Sequence, residues 1–228
     1  MHIPDGFLSL AISAVTYVIS ILIVGFSLRK IRGGLDERMI PLTALLTALL
    51  TALFFAAQMM NYPIVGGTTA HLLGGAALSL ILGPWTGCIC MTVILVLQCF
   101  LFGDGGITAL GANLLTMAIV GVFLPYIIYN ATMRVSGSLV LSCALGAFIG
   151  DVAAAITAGV LLGLSAPIFQ YGLEIAVPAM ALNHSVIGAG EAVVTAVLIP
   201  LLIKAKPELL SLSPWLGGQG HLEKVNAK

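Results

Sequence analysis

The stretch Arg29-Lys30-Ile31-Arg32-Gly33-Gly34, followed by Asp36, Glu37 and Arg38, separates two long apolar runs, Phe7 to Leu28 and Met39 to Met60. A membrane-spanning helix needs about 20 consecutive apolar residues. Each run meets that length, and the charged stretch between them reads as a loop held in water. Composition extends the reading to the whole chain. Of its residues 60% are hydrophobic and 8% charged, with a mean hydropathy of +1.13, where soluble domains carry about 25% charged residues. An all-α, polytopic membrane bundle follows, and the formal net charge of zero says nothing further about partners.

Five more apolar segments follow along the chain: Leu72 to Leu82, Thr86 to Phe102, Ile107 to Met133, Leu139 to Leu164 and Ala176 to Ile203. The third of the seven segments, Leu72 to Leu82, is short. It predicts that part of the loop before it lies at membrane depth, which is tolerated only where backbone is buried in protein or lines a cavity. Basic residues decide between six and seven crossings. Cytoplasmic loops carry an excess of Lys and Arg. With seven crossings all nine basic residues (Arg29, Lys30, Arg32, Arg38, Arg134, Lys204, Lys206, Lys224 and Lys228) fall on one side. The expectation is therefore seven helices over residues 1–203, an external N-terminus, and a cytoplasmic polar tail over 204–228. No Lys or Arg precedes residue 29, so a secretory signal is not expected and Met1 is expected to be retained.

That topology gathers the polar, glycine-rich loops and the opening Met1-His2-Ile3-Pro4-Asp5-Gly6 on the external face, none of them carrying Lys or Arg. The opening residues have the makings of a chelate. The Met1 amine, the His2 amide nitrogen and the His2 Nδ1 close a five-membered and a six-membered ring on one cation. Pro4 stiffens the turn back to the membrane, and Asp5 holds that turn or adds negative charge. A plain chain start is the alternative. His71 ends the run Gly66-Gly67-Thr68-Thr69-Ala70 and supplies a fourth nitrogen from a distant part of the chain. Four nitrogens in a plane, one of them a deprotonated amide, suit Ni(II), Cu(II) or Co(II) and fit tetrahedral zinc badly. Thr69, Asp104 and Asn113 are candidates to surround these ligands. Asp104 and Asn113 would orient the imidazoles through their other ring nitrogen, with a turn role for Asp104 as the alternative.

Asp151, His184 and Glu191 lie inside apolar segments, where ionisable groups face the bundle interior. Two readings stay open, a hydrogen-bonded cluster that fixes the bundle and steps on a cation path. Ala44, Ala48, Ala52 and Ala56 share one face of the second segment, beside Thr43, Thr47 and Thr51. Small residues at this spacing allow close helix approach in lipid, either within the bundle or with a docking partner. Gly146 and Gly150 are a weaker case of the same kind. Cys88, Cys90, Cys99 and Cys143 sit in apolar runs and read as small hydrophobes. The chain lacks a Gly-x-x-x-x-Gly-Lys-Ser/Thr phosphate loop and the His-Glu-x-x-His and Gly-x-Ser-x-Gly motifs, so neither ATP hydrolysis by that route nor hydrolase chemistry is expected.

Met1-His-Ile-Pro-Asp-Gly-Phe-Leu8, Gly66-Gly-Thr-Thr-Ala-His71, Leu82-Gly-Pro-Trp85 and Leu101-Phe-Gly-Asp-Gly-Gly-Ile-Thr-Ala-Leu-Gly-Ala-Asn113 together resemble the CbiM/NikM family. These are the substrate-binding membrane components of energy-coupling-factor importers for cobalt and nickel. The resemblance implies a site of the Met1 amine, the His2 amide and imidazole, and His71, with Ni2+ or Co2+ as transported ligand and no cofactor. It implies a transmembrane coupling protein docking on the face of Ala44 to Ala56, a pair of cytoplasmic ATPases and a small accessory membrane subunit. It also implies the cytoplasmic (inner) membrane of a prokaryote and no nucleic acid. The loop sequences around His71 and Asp104 look more like the nickel branch than the cobalt one. A stand-alone cation transporter or channel, using Asp151, His184 and Glu191 as its path, is the competing expectation from the residues alone.

Overall fold

The computed structural model of the protein describes residues 1–32 and 40–205. Asp36, Glu37, Arg38, the side chain of Thr43 and the tail with Lys206, Lys224 and Lys228 lie outside the described residues. The architecture is mostly helical: α1 (Leu10–Arg32), α2 (Ile40–Met59), α3 (Gly75–Leu82), α4 (Pro84–Leu97), α5 (Leu110–Asn113), α6 (Gly121–Ser136), α7 (Leu139–Gly163) and α8 (Leu173–Ala205). Two π-helical stretches, Gln98–Phe102 and Leu114–Val120, continue α4 and join α5 to α6. Among the described residues five helical stretches are long and apolar enough to cross a membrane: Leu10–Ile31, Pro84–Phe102, Leu110–Ser136, Leu139–Gly163 and Leu173–Ala205. A shorter apolar helix spans Ala44–Met59.

The third apolar segment is shorter still. Its helix, α3, has eight residues, about 12 Å at 1.5 Å per residue, and all eight are buried. Before it the chain forms a two-stranded antiparallel hairpin, β1 (Tyr62–Pro63) with β2 (Thr69–Ala70), pairing Tyr62 with Ala70 and Pro63 with Thr69. The all-helical expectation missed this hairpin. It turns through Gly66 at φ +81° and is closed by Ile64 N–H on the Thr68 carbonyl at 2.8 Å. Residues 71–74 then run as an irregular strap into α3, with His71, Leu73 and Gly74 buried. The sequence's expectation of buried non-helical backbone before the third helix matches this strap.

Small residues do the packing work inside the bundle. A Cβ on Gly150 of α7 would stand 2.2 Å from Pro125 Cγ of α6, and one on Gly146 would stand 2.8 Å from the Pro125 carbonyl oxygen. Two helices can meet this closely only where side chains are absent, which is how apolar helices gain contact in lipid. The Gly146 and Gly150 spacing therefore serves internal packing. The alanines of α2 behave differently: Ala44, Ala48, Ala52 and Ala56 are all exposed. With Thr47, Phe55 and α4 residues such as Ile89 and Val93, three of them, Ala44, Ala48 and Ala52, line an apolar groove of about 720 Å³. Cys88, Cys90, Cys99 and Cys143 are unbridged and buried.

Candidate metal site

The first six residues fold down into the end of the bundle where α1 and α8 begin. Met1 is completely buried and His2 is 2% exposed. Two elements hold this segment, and both bind its backbone. Asn113, at the end of α5, receives the Ile3 N–H on Oδ1 at 2.8 Å and donates from Nδ2 to the Ile3 carbonyl at 3.1 Å. Gly106 N–H reaches the same carbonyl at 2.9 Å. Asp5 accepts from Ile107 N–H at 3.1 Å and from the backbone and hydroxyl of Thr108. These bonds, the Thr108 hydroxyl first, hold its carboxyl below the usual carboxylate range. Asp5 therefore ties the N-terminal segment to the loop before α5 rather than closing its own turn. Asn113 differs from the sequence expectation likewise: its amide matches the N–H and C=O of a peptide unit and fixes Ile3, and through it His2, instead of touching an imidazole. Gly106 has no side chain because Asp5 N would lie 2.2 Å from its Cβ.

Thr69, in β2, meets the candidate main-chain nitrogens directly. The Met1 amine donates to its carbonyl oxygen and, at 3.0 Å, to its hydroxyl oxygen. The same hydroxyl accepts the His2 amide N–H at 3.2 Å. Two residues on, His71 is 1% exposed, with its ring centroid 4.6 Å from that of His2. His71 Nδ1 lies 3.1 Å from the Leu72 carbonyl oxygen; with the proton on Nδ1, Nε2 carries the lone pair. Its Nε2 and both ring nitrogens of His2 are buried and have no hydrogen-bond partner. Three orphaned polar atoms at one spot are costly, since each unsatisfied buried group forfeits about 1–3 kcal/mol.

Burial also settles the protonation of these donors. It lowers the Met1 amine from 8.0 to about 4. It holds both imidazoles below their ordinary range, with the nearby amine contributing in the same direction. At neutral pH the amine and both rings are therefore neutral, with lone pairs available. Asp104 Oδ2 stands 3.8 Å from His2 Nε2, a carboxylate beside a neutral ring and beyond hydrogen-bond distance. Asn61 holds it there by donating to the same oxygen at 2.9 Å. Desolvation raises the Asp104 carboxyl.

The intramembrane residues form a separate layer. Asp151 of α7 meets His184 Nδ1 of α8 at 3.2 Å, and His184 Nε2 lies 3.4 Å from the Thr69 carbonyl oxygen. Glu191, two turns further along α8, accepts the backbone N–H of Gly74 at the start of α3. Asp151 and His184 thus reach the site through Thr69 and through the His184 ring, whose centroid lies 6.4 Å from that of His71, and Glu191 reaches it through the strap. Among the described residues no three His, Cys, Asp or Glu side chains converge as metal ligands. The convergent donors here are two imidazoles and two main-chain nitrogens. Sequence reasoning missed Gln58, a buried amide of α2 that donates to the Leu73 carbonyl at 2.7 Å; the one signal for it was a polar amide inside an apolar helix.

A bundle of membrane-length apolar helices with a buried nest of nitrogen donors at one end defines a multi-pass membrane protein of the transporter class. The chain belongs to the CbiM family, described as the cobalt uptake substrate-specific transmembrane region, which it matches over residues 2–209. It is 40% identical over 226 residues to the fused nickel transport protein NikMN of Rhodobacter capsulatus, spanning 92% of this chain and 64% of that protein. It is 31% identical over 208 residues to the cobalt transport protein CbiM of Thermosipho melanesiensis, spanning 90% of this chain and 87% of that protein. The fold matches the crystal structure of a truncated transition metal transporter with a TM-score of 0.84 and 38% identity, over 90% of this chain and 99% of that one.

Proposed function

We propose that this chain is the substrate-binding membrane subunit of an energy-coupling-factor importer for a divalent transition metal, with Ni2+ favoured over Co2+. The metal is held by the Met1 amine, the His2 amide nitrogen, His2 Nδ1 and His71 Nε2. One observation carries the reading: the His2 and His71 rings lie side by side, tilted by 31° with centroids 4.6 Å apart, while the His2 nitrogens and His71 Nε2 are buried without partners. Nitrogen donors that bury at a cost and satisfy nothing are arranged for a ligand that replaces those lost bonds. An amide that must ionise suits a metal preferring planar nitrogen ligation. Thr69 holds both main-chain nitrogens in register, and Asp104 stands 3.8 Å from the outer nitrogen of His2, where a small movement would let the carboxylate orient a ligating ring.

Seven crossings with the N-terminus outside fit this role. Arg29, Lys30, Arg134 and Lys204 lie toward the C-terminal ends of α1, α6 and α8, whereas the donors gather where α1 and α8 begin. The chain has no phosphate loop of its own, so ATPases and a transmembrane coupling protein supply energy and movement. A small accessory membrane subunit completes the complex. The exposed alanine face of α2 is the docking surface offered to the coupling protein. In the stand-alone transporter reading, Asp151, His184 and Glu191 would have to be available to a cation, and each is already engaged by a fixed partner.

Equilibrium binding of Ni2+ and Co2+ to the purified protein, with flux measured in vesicles holding this chain alone, tests the proposal. Tight binding with no metal flux is the expected result. Proton-driven flux by the lone chain would overturn it.

A further inference from the structure

The strap that carries His71 is fastened at two consecutive backbone groups. The Leu73 carbonyl accepts from Gln58 Nε2 of α2 at 2.7 Å, and the Gly74 N–H donates to Glu191 of α8. Gly74 has φ +76°, and a Cβ there would stand 2.0 Å from Phe54 Cδ1. The strap therefore lies flush against α2, one turn from Gln58, with no slack at this point. Gln58 is fully buried, and its Oε1 has no partner. An apolar residue there would spare the unpaired oxygen but take the donor from the Leu73 carbonyl, so this side chain keeps the strap's backbone bonded at the cost of its own acceptor.

We propose that Gln58 is a positioning residue for His71: its bond to the Leu73 carbonyl sets where the strap presents the imidazole, and it carries metal occupancy at His71 into α2. This rests on the reading of His71 as a metal ligand. The distances give it a direct route, since Leu73 is two residues from His71 and α2 presents Phe54 and Gln58 to the strap. An adjacent face of the same helix, at Ala48, Ala52 and Phe55, lines the apolar groove. A pull on the strap when the metal engages His71 reaches α8 through Glu191 and, through Gln58, the helix that forms that groove.

The test uses Gln58→Met in the full chain, which keeps the length of the side chain and removes its donor. Its readouts are Ni2+ affinity and the Ni2+ absorption spectrum, with His71→Ala as the reference for a site lacking the fourth nitrogen. The expected result is a fall in affinity on the order of tenfold and a spectrum displaced toward that of His71→Ala. A purely structural Gln58 would lower the unfolding temperature and leave the spectrum of the folded protein as it was, and that outcome overturns the inference. If native protein itself shows no four-nitrogen spectrum, the reading of the site fails before Gln58 is tested, so the two failures are distinguishable. Should Gln58→Met not fold, hydrogen exchange on the native protein decides. Ni2+ slowing exchange in residues 54–59 together with the strap supports the inference; slowing confined to the strap overturns it.

Discussion

Two neighbouring groups of buried ionisable residues differ in how their atoms are satisfied. Around Met1, His2 and His71, ring nitrogens are sealed away from water and bonded to nothing. A few ångströms deeper, Asp151 meets His184, His184 reaches the Thr69 carbonyl, and Glu191 receives the Gly74 N–H. Both groups cost desolvation. The deeper one offsets it within the protein and stiffens the contacts of α7, α8 and the strap. The outer one leaves three ring nitrogens uncompensated, both of His2 and the Nε2 of His71, while the Met1 amine donates to Thr69. On the proposed reading, the difference separates residues that build the site from residues that act in it, although a reading of residue types alone would place all six ionisable groups together.

The comparison can be broken most forcefully at His71. His71→Ala should lower Ni2+ affinity by on the order of 100-fold or more, exceeding what loss of an outer orienting partner does. The folded protein should persist, because the removed Nε2 has no partner and the removed Nδ1 bonds only to the neighbouring Leu72 carbonyl oxygen. Equilibrium titration with a thermal unfolding control checks both halves, and a variant that unfolds with its affinity intact would assign His71 to the satisfied group instead.

Proton release gives a finer probe. Metal binds deprotonated donors, so a group whose pKa lies below the working pH releases nothing. Burial holds the Met1 amine at about 4 and the imidazoles of His2 and His71 below their ordinary range. Competition from the amine therefore begins only as pH falls toward 4. Between pH 6 and 8 only the His2 amide gives up a proton, and affinity should fall by about tenfold for each unit of acidification, a slope of one. Affinity measured at three pH values in that window checks the slope. A value of two or more would mean that the amine or an imidazole stays protonated in the metal-free protein, as in a solvated peptide.

The smallest effect on binding belongs to the deeper group. Asp151→Asn keeps a partner for His184 while removing the charge, and should leave the Ni2+ spectrum unchanged. Unfolding should become easier by about 1–3 kcal/mol, the cost of disturbing a buried hydrogen-bonded pair. Thermal unfolding and the Ni2+ spectrum measured on the same sample separate these two effects.

The sequence made the outer group legible in part. Met1-His2 stands out because an amine, an amide and an imidazole on adjacent residues form a chelate by covalent geometry alone. His71 stands out as an imidazole after a glycine-rich loop at the start of an unusually short helix, and that shortness correctly indicated buried non-helical backbone. What stayed hidden depends on contacts across long sequence separations. The sequence suggests a ring nitrogen as the partner of Asn113, but the side chain reaches 110 residues back to the Ile3 backbone. Its two-sided amide suits a peptide unit as well as an imidazole, and nothing local decides between them. Gln58 carries no motif at all. Its role exists only because the strap passes beside α2. The alanines of α2 illustrate the converse: their spacing was plain, and only the fold shows that they face outward while Gly146 and Gly150, with the same spacing, are used inside.

The central claim is that the Met1 amine is itself a metal ligand. The direct measurement is Ni2+ binding by protein with one alanine placed before Met1, against protein beginning at Met1, with folding verified for both. The extension converts the amine to an amide and fills space that is fully buried around Met1. The account predicts that Ni2+ binding and the planar four-nitrogen spectrum are both lost in the extended protein. An extended protein that is folded and binds Ni2+ with native affinity and spectrum would contradict it.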